Sequence, residues 1–154
     1  MNETSWDVLA RFLSQELTKL MRYDDRRTHL RALGNAQGTM EQVPSWHEVR
    51  RPEVTVKIAP MPSINQDTMP RSFFYKNCLT INSKHVDFLL RCEPYNAVDA
   101  RRVFYIILIA AGEYVADRDK GEHVEDRISR VTDIACQLEE AISRRLNSLK
   151  VRAQ

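Results

Sequence analysis

The chain is poor in the residues that mark many catalytic and secreted scaffolds. Only four of its 154 residues are glycine, and no Gly-x-Gly-x-x-Gly, P-loop or Gly-x-Ser-x-Gly run is present, so a phosphate-cradling loop or nucleophile elbow has no sequence to build it. Three cysteines, Cys78, Cys92 and Cys136, are few, odd in number and without a C-x-x-C pair. That argues against a zinc ribbon or a disulfide scaffold and points to a reducing, cytoplasmic setting. The four histidines, His29, His47, His85 and His123, stand far apart, and neither His47-Glu48 nor His123-x-Glu125 has the spacing that puts two metal ligands on one helical face. No catalytic residue, metal or cofactor is assigned. An enzyme would need a cleft gathering at least two of these histidines, cysteines or carboxylates, and the reading leans away from one.

Long apolar runs are missing too. The longest, Val103 to Ala111, is nine residues and cannot span a bilayer, and the polar opening Met1-Asn2-Glu3-Thr4-Ser5-Trp6-Asp7 gives no expectation of a signal peptide or a membrane partner. Nor does charge of one sign dominate. Lys+Arg number 23 against 21 Asp+Glu, a net charge of +2, so any contact with a polyanion depends on local patches.

What is present is the composition of one globular domain, 43% hydrophobic and 29% charged over residues 1–154. Thr4 and Asp7 resemble a capping box, and Trp6, Leu9, Leu13, Leu17 and Leu20 recur at helical spacing. Continuing that helix would bring Arg27 and Arg31 near the apolar stripe. A break at Tyr23-Asp24-Asp25 is therefore expected, with a second short helix ending at Gly34 and N-terminal helices over 5–33. Residues 34–52 read as a loop in which Ser45-Trp46-His47-Glu48 caps a turn. Val54, Val56 and Ile58 alternate in a strand near 53–59, followed by a loop with Pro60, Pro62 and Pro70. Residues 73–82 and 85–93 read as a hairpin turning at Ser83-Lys84, with Ile81, Leu79, Val86, Phe88 and Leu90 on one face. Asn96 and Asp99 cap a helix over 97–117 whose middle, Val103 to Ile109, would by itself also suit a buried strand. A last helix covers 122–150. The expected fold class is α+β: a small antiparallel sheet of about three strands packed on helices, with a long C-terminal helical hairpin.

The strongest pattern lies in that last helix. Val124, Ile128, Val131, Ala135, Leu138 and Ile142, then Arg145 and Leu149, keep one stripe on one side over about seven turns. The stripe needs a neighbour, either the helix before it or a second copy of the chain. Ile134, Ala141 and Leu146 widen it, and Arg145 on the seam needs a carboxylate, from Glu139 or Glu140 of a partner or from elsewhere in the fold. The first functional expectation is a non-enzymatic interaction or assembly module that forms a homodimer through Val131, Leu138, Ile142, Arg145 and Leu149.

Basic residues supply the second. Arg26-Arg27, Arg50-Arg51, Arg101-Arg102 and Arg144-Arg145 are paired, and Arg101 and Arg102 fall in a first helical turn that favours anions. With the Lys19, Arg22 and Arg26 face of the first helix they suggest binding to RNA shape and backbone. The element order helix-strand-strand-strand-helix occurs in double-stranded RNA-binding domains, but their glycine-rich loop and Ser-Lys-Lys pattern are absent, so the analogy is one of topology. Phe73, Phe74 and Tyr75 are adjacent, so at least one faces away from the main core, where it can pack, stack a base or meet a protein partner.

Overall fold

The structure is a computed structural model that describes residues 5–35, 53–61, 69–92, 100–119, 121 and 123–153. It is α+β, with elements α1 (Ser5–Asn35), β1 (Thr55–Ala59), β2 (Ser72–Tyr75), β3 (Cys78–Asn82), α2 (Val86–Cys92), α3 (Ala100–Asp117) and α4 (Val124–Ala153). Helix α1 buries Leu9, Leu13 and Leu17 completely, as the spacing predicts. It does not break at Tyr23-Asp24-Asp25. Among the side chains described, Met21 is the last one buried on α1 and Arg27 is exposed, so Arg27 does not meet the apolar stripe; the side chain of Arg31 lies outside the described residues. Both aspartates serve the helix as it stands: Tyr114 Oη donates to Asp24 Oδ2 at 2.6 Å, and Arg118 pairs with Asp25 Oδ1 at 2.9 Å. Burial, and then the hydrogen bond to Asp24, hold the Tyr114 hydroxyl well above its ordinary pKa.

The sheet is mixed rather than wholly antiparallel. Its order is β1-β3-β2, with β1 parallel to β3 and β2 antiparallel to β3. The hairpin lies one segment earlier than expected. Its turn is Lys76-Asn77, whose φ angles of 48° and 61° supply the two left-handed residues that a two-residue hairpin favours. The segment after β3, expected as a strand near 85–93, is the helix α2. Asp87 N donates to His85 Nδ1 at 3.1 Å and Leu89 N to His85 O at 3.0 Å, so His85 caps its first turn. The two buried side chains, Phe88 and Cys92, are four apart on one helical face, whereas Val86 and Leu90, which made the alternation look strand-like, are exposed.

Asn82 explains why Ser83-Lys84 does not turn back into a strand. The side chain is fully buried. Its Oδ1 accepts from Met61 N and Lys84 N, both at 3.0 Å, while its Nδ2 donates to Pro70 O at 2.9 Å. One amide therefore ties the exit of β1, the approach to β2 and the turn into α2.

Helix α1 lies along the free edge of β1. Thr55 N and Ala59 O bond across to the β3 side, which leaves the amides of Val54 and Val56 pointing outward. Val54 N donates to Thr18 Oγ1 at 2.9 Å and Val56 N to Ser14 Oγ at 2.8 Å. Ser14 Oγ in turn donates a hydrogen bond to Ala10 O at 2.7 Å. The first half of the edge is thereby covered by side chains of a helix.

Val54, Val56, Leu79, Ile81 and Phe74 face the helices, and α3 sits between the sheet and α4. Its face toward them, Val103, Ile106, Ile107, Ala110, Ala111, Tyr114 and Val115, is buried, but α3 is not covered on every side, because Phe104 and Leu108 are exposed. The capping residues Asn96 and Asp99, the turn around Trp46, Arg50-Arg51 and Pro62 lie outside the described residues.

Asn82→Ala removes one acceptor shared by two amides and one donor. It is expected to destabilise the fold by about 2–4 kcal/mol, read as a lower urea midpoint with an unchanged m-value.

Candidate binding surface

Helix α4 presents the seam to this chain's own helices. Ile134, Ala135, Leu138 and Ile142 are buried, Val131 and Leu146 pack half-buried against the same core, and α4 contacts both α3 and α1. Arg145 finds its carboxylate within the fold. Its Nη1 lies 3.3 Å from Glu16 Oε1, its Nη2 donates to Gln15 Oε1, and its guanidinium sits 4.2 Å from the centre of the Phe12 ring. Glu140 is instead paired with Arg144 one turn along. Leu138 and Ile142 are thus enclosed by the protomer, while Val124, Ile128 and Leu149, at the two ends of the stripe, remain exposed.

The predicted basic residues fall into separate places. Lys19 and Arg22 line a groove of about 810 Å³ between α1 and β1, and Arg26 is exposed one turn further along α1. Arg101 lines a different cleft of about 490 Å³ with Arg71, Arg91, Phe104 and Leu108, and Arg102 Nε donates to Arg91 O at 3.3 Å. In that second cleft Arg71 is already paired with Asp87. Burial raises the Tyr105 hydroxyl above its usual pKa there.

The surface that the structure adds is the outer face of the sheet. The hairpin register turns Phe74 inward and puts Phe73 and Tyr75 outward on one face, 50% and 59% exposed, with ring centres 6.1 Å apart and planes tilted by 31°. Lys76 Nζ lies 5.4 Å from the centre of the Tyr75 ring. Pairing then places Tyr75, Cys78 and Thr55 in one cross-strand row and Phe73, Thr80 and Lys57 in the next. Thr55 and Lys57 are exposed, and both also line the groove beside α1 together with Arg11, Lys19 and Arg22. The aromatic triplet could be picked out of the sequence, but which two rings face outward follows only from the turn at Lys76-Asn77. Lys57 and Arg11 gave no signal of their own, since an alternating lysine on a strand reads as ordinary solvated surface.

Among the described residues, no group of three or more histidine, cysteine, aspartate or glutamate side chains is arranged to hold a metal ion. Cys78, Cys92 and Cys136 lie on three different elements and form no disulfide. No helix among the described residues is long and apolar enough to cross a membrane. No protein-family model, curated protein or solved structure matches the chain.

Because Leu138 is closed in by α1 and α3, Leu138→Asp is expected to destabilise the single protomer by more than about 3 kcal/mol. Thermal unfolding followed by circular dichroism checks this, and a variant that stays fully folded would show that the residue is not in the core.

Proposed function

We propose that the protein is a non-enzymatic binding module that takes single-stranded nucleic acid on the outer face of its sheet. The observation that carries this reading is the exposed Phe73–Tyr75 pair on one face, with Lys76 over one ring and Lys57 in the adjoining row. Aromatic rings stack bases of any sequence and lysines meet the backbone charge, which is how sheet surfaces hold unpaired strands. A duplex offers no splayed bases to such rings, and the arginines expected to track a duplex backbone are scattered, with Arg22 and Arg101 in different clefts and Arg102 on the Arg91 carbonyl. Three cysteines that form no disulfide suit a reducing, cytoplasmic setting. In fluorescence anisotropy at about 50 mM salt, a labelled single-stranded RNA should bind more tightly than a duplex of the same sequence. Phe73→Ala/Tyr75→Ala should weaken that binding by about tenfold or more, at roughly 1–3 kcal/mol per stacked base. The reading is wrong if the wild-type protein shows no affinity at low salt, or if the ringless variant binds equally well.

A second reading, self-association into a dimer, keeps one specific observation. Val124 and Ile128 continue the α4 seam and are 67% and 60% exposed. Contact between copies would then use this end of the stripe rather than Leu138 and Ile142. It predicts a dimer mass by light scattering that Ile128→Glu reduces to the monomer. A monomeric wild-type protein at high concentration rules it out.

A further inference from the structure

We propose that a strand held by the Phe73–Tyr75 pair runs on across β3 and β1 and lays its phosphates in the groove between α1 and β1, against Lys57, Arg11, Lys19 and Arg22. This rests on the reading of the sheet face as a nucleic-acid platform and adds the path of the backbone and the length of the site. The path is continuous, because Thr55 and Lys57 belong both to the cross-strand rows that contain the two rings and to the wall of the groove.

The chemistry of the groove favours a polyanion over an extended peptide. A peptide adding to the edge of β1 would need the outward amides of Val54, Val56 and Ile58, and Thr18 and Ser14 already occupy the first two. Too little free backbone edge is left for strand addition, and recognition falls mainly to side chains. The groove is lined by four cations, Arg11, Lys19, Arg22 and Lys57, against two carboxylates, Asp7 and Glu53, with Lys19 also 3.3 Å from Glu16 in an exposed pair that a phosphate can replace. The Arg22–Glu53 contact is loose at 3.6 Å, and the Glu53 side chain is 76% exposed, so it can swing away when a phosphate arrives. At about 810 Å³ the groove is roomy enough for a sugar-phosphate backbone. Two rings stack two bases, so phosphates in the groove make the site longer than a dinucleotide.

The test is anisotropy with labelled single-stranded RNA, as a dinucleotide and as an octanucleotide, over a range of salt. Wild type should gain affinity with length. Lys19→Gln/Lys57→Gln, both exposed positions whose folding circular dichroism confirms, should lose about tenfold on the octanucleotide, with a salt slope shallower by about 1.4, while the dinucleotide changes little. Arg101→Gln, in the other cleft, should leave every value in place. If the length gain and salt slope survive in the double variant while Phe73→Ala/Tyr75→Ala still abolishes binding, the path is wrong and the platform stands. Equal losses in Arg101→Gln would also overturn the path, since the effect would then be one of general charge. Absence of binding at any length overturns the platform and the path together.

Discussion

The arrangement of the sheet depends on one buried amide. Asn82 ends β3 with no exposed surface, so both its carbonyl and its NH₂ group must find partners inside the protein. They find them on three different stretches of chain, at Met61, Pro70 and Lys84. A single polar group thus sets where β1 ends, how the chain approaches β2 and the direction in which it leaves β3. The last of these sends residues 86–92 into a helix that lays Phe88 against the core and Trp6, with ring centres 5.5 Å apart, instead of returning them along the sheet. It also leaves the β2–β3 turn at Lys76-Asn77, and that turn decides which aromatic side chains look outward.

Helix α1 is the second organiser, and it works in three directions. Toward the sheet it offers Ser14 and Thr18; toward α4 it offers Phe12, Gln15 and Glu16 to Arg145; toward α3 it offers Asp24 and Asp25 to Tyr114 and Arg118. Arg145 stands among apolar seam positions, yet its charge is met by Glu16, both terminal nitrogens have a partner and its flat face lies on the Phe12 ring. An arginine so placed fixes the sliding position of α4 on α1, because moving either helix by one turn would strand the guanidinium. The seam, with its interruption, specifies an internal contact.

Local periodicity made α4 and the first half of α1 legible in the sequence, the cap and length marked α3, and the alternation of Val54, Val56 and Ile58 marked β1. The continuation of α1 through Tyr23-Asp24-Asp25 was not legible, because Asp24 and Asp25 find their partners on α3, distant in sequence. What could not be read there was non-local or ambiguous. Over 86–92 the apolar residues satisfy both a period of two, through Val86, Phe88 and Leu90, and a helical step, through Phe88 and Cys92; only the burial of Asn82 breaks the tie. The parallel pairing of β1 with β3 joins segments separated by the whole of β2, and nothing in either segment announces it. The arginine pairs show the limit of composition as a guide to a site. Arg101 and Arg102 are adjacent in sequence, yet one lines a cleft and the other binds a backbone carbonyl. The Phe73–Tyr75 surface was half legible: adjacency required that some ring face outward, and the turn chose which.

The pairing of a helix with a strand edge works like a vernier between two rulers. Thr18 meets Val54 and Ser14 meets Val56, so each step of four residues back along α1 matches two residues forward along β1. The helical step is about 6.0 Å and the strand step about 6.6 Å. The scales therefore slip by roughly 0.6 Å per rung and by about 1.2 Å at the third, more than the spread of good hydrogen-bond lengths allows. The next residue in the series on α1 is Ala10, which has no hydroxyl to offer, and β1 itself is only five residues long. A helix can stand in for a neighbouring strand only while the two scales remain in phase, which here covers the two rungs at Val54 and Val56.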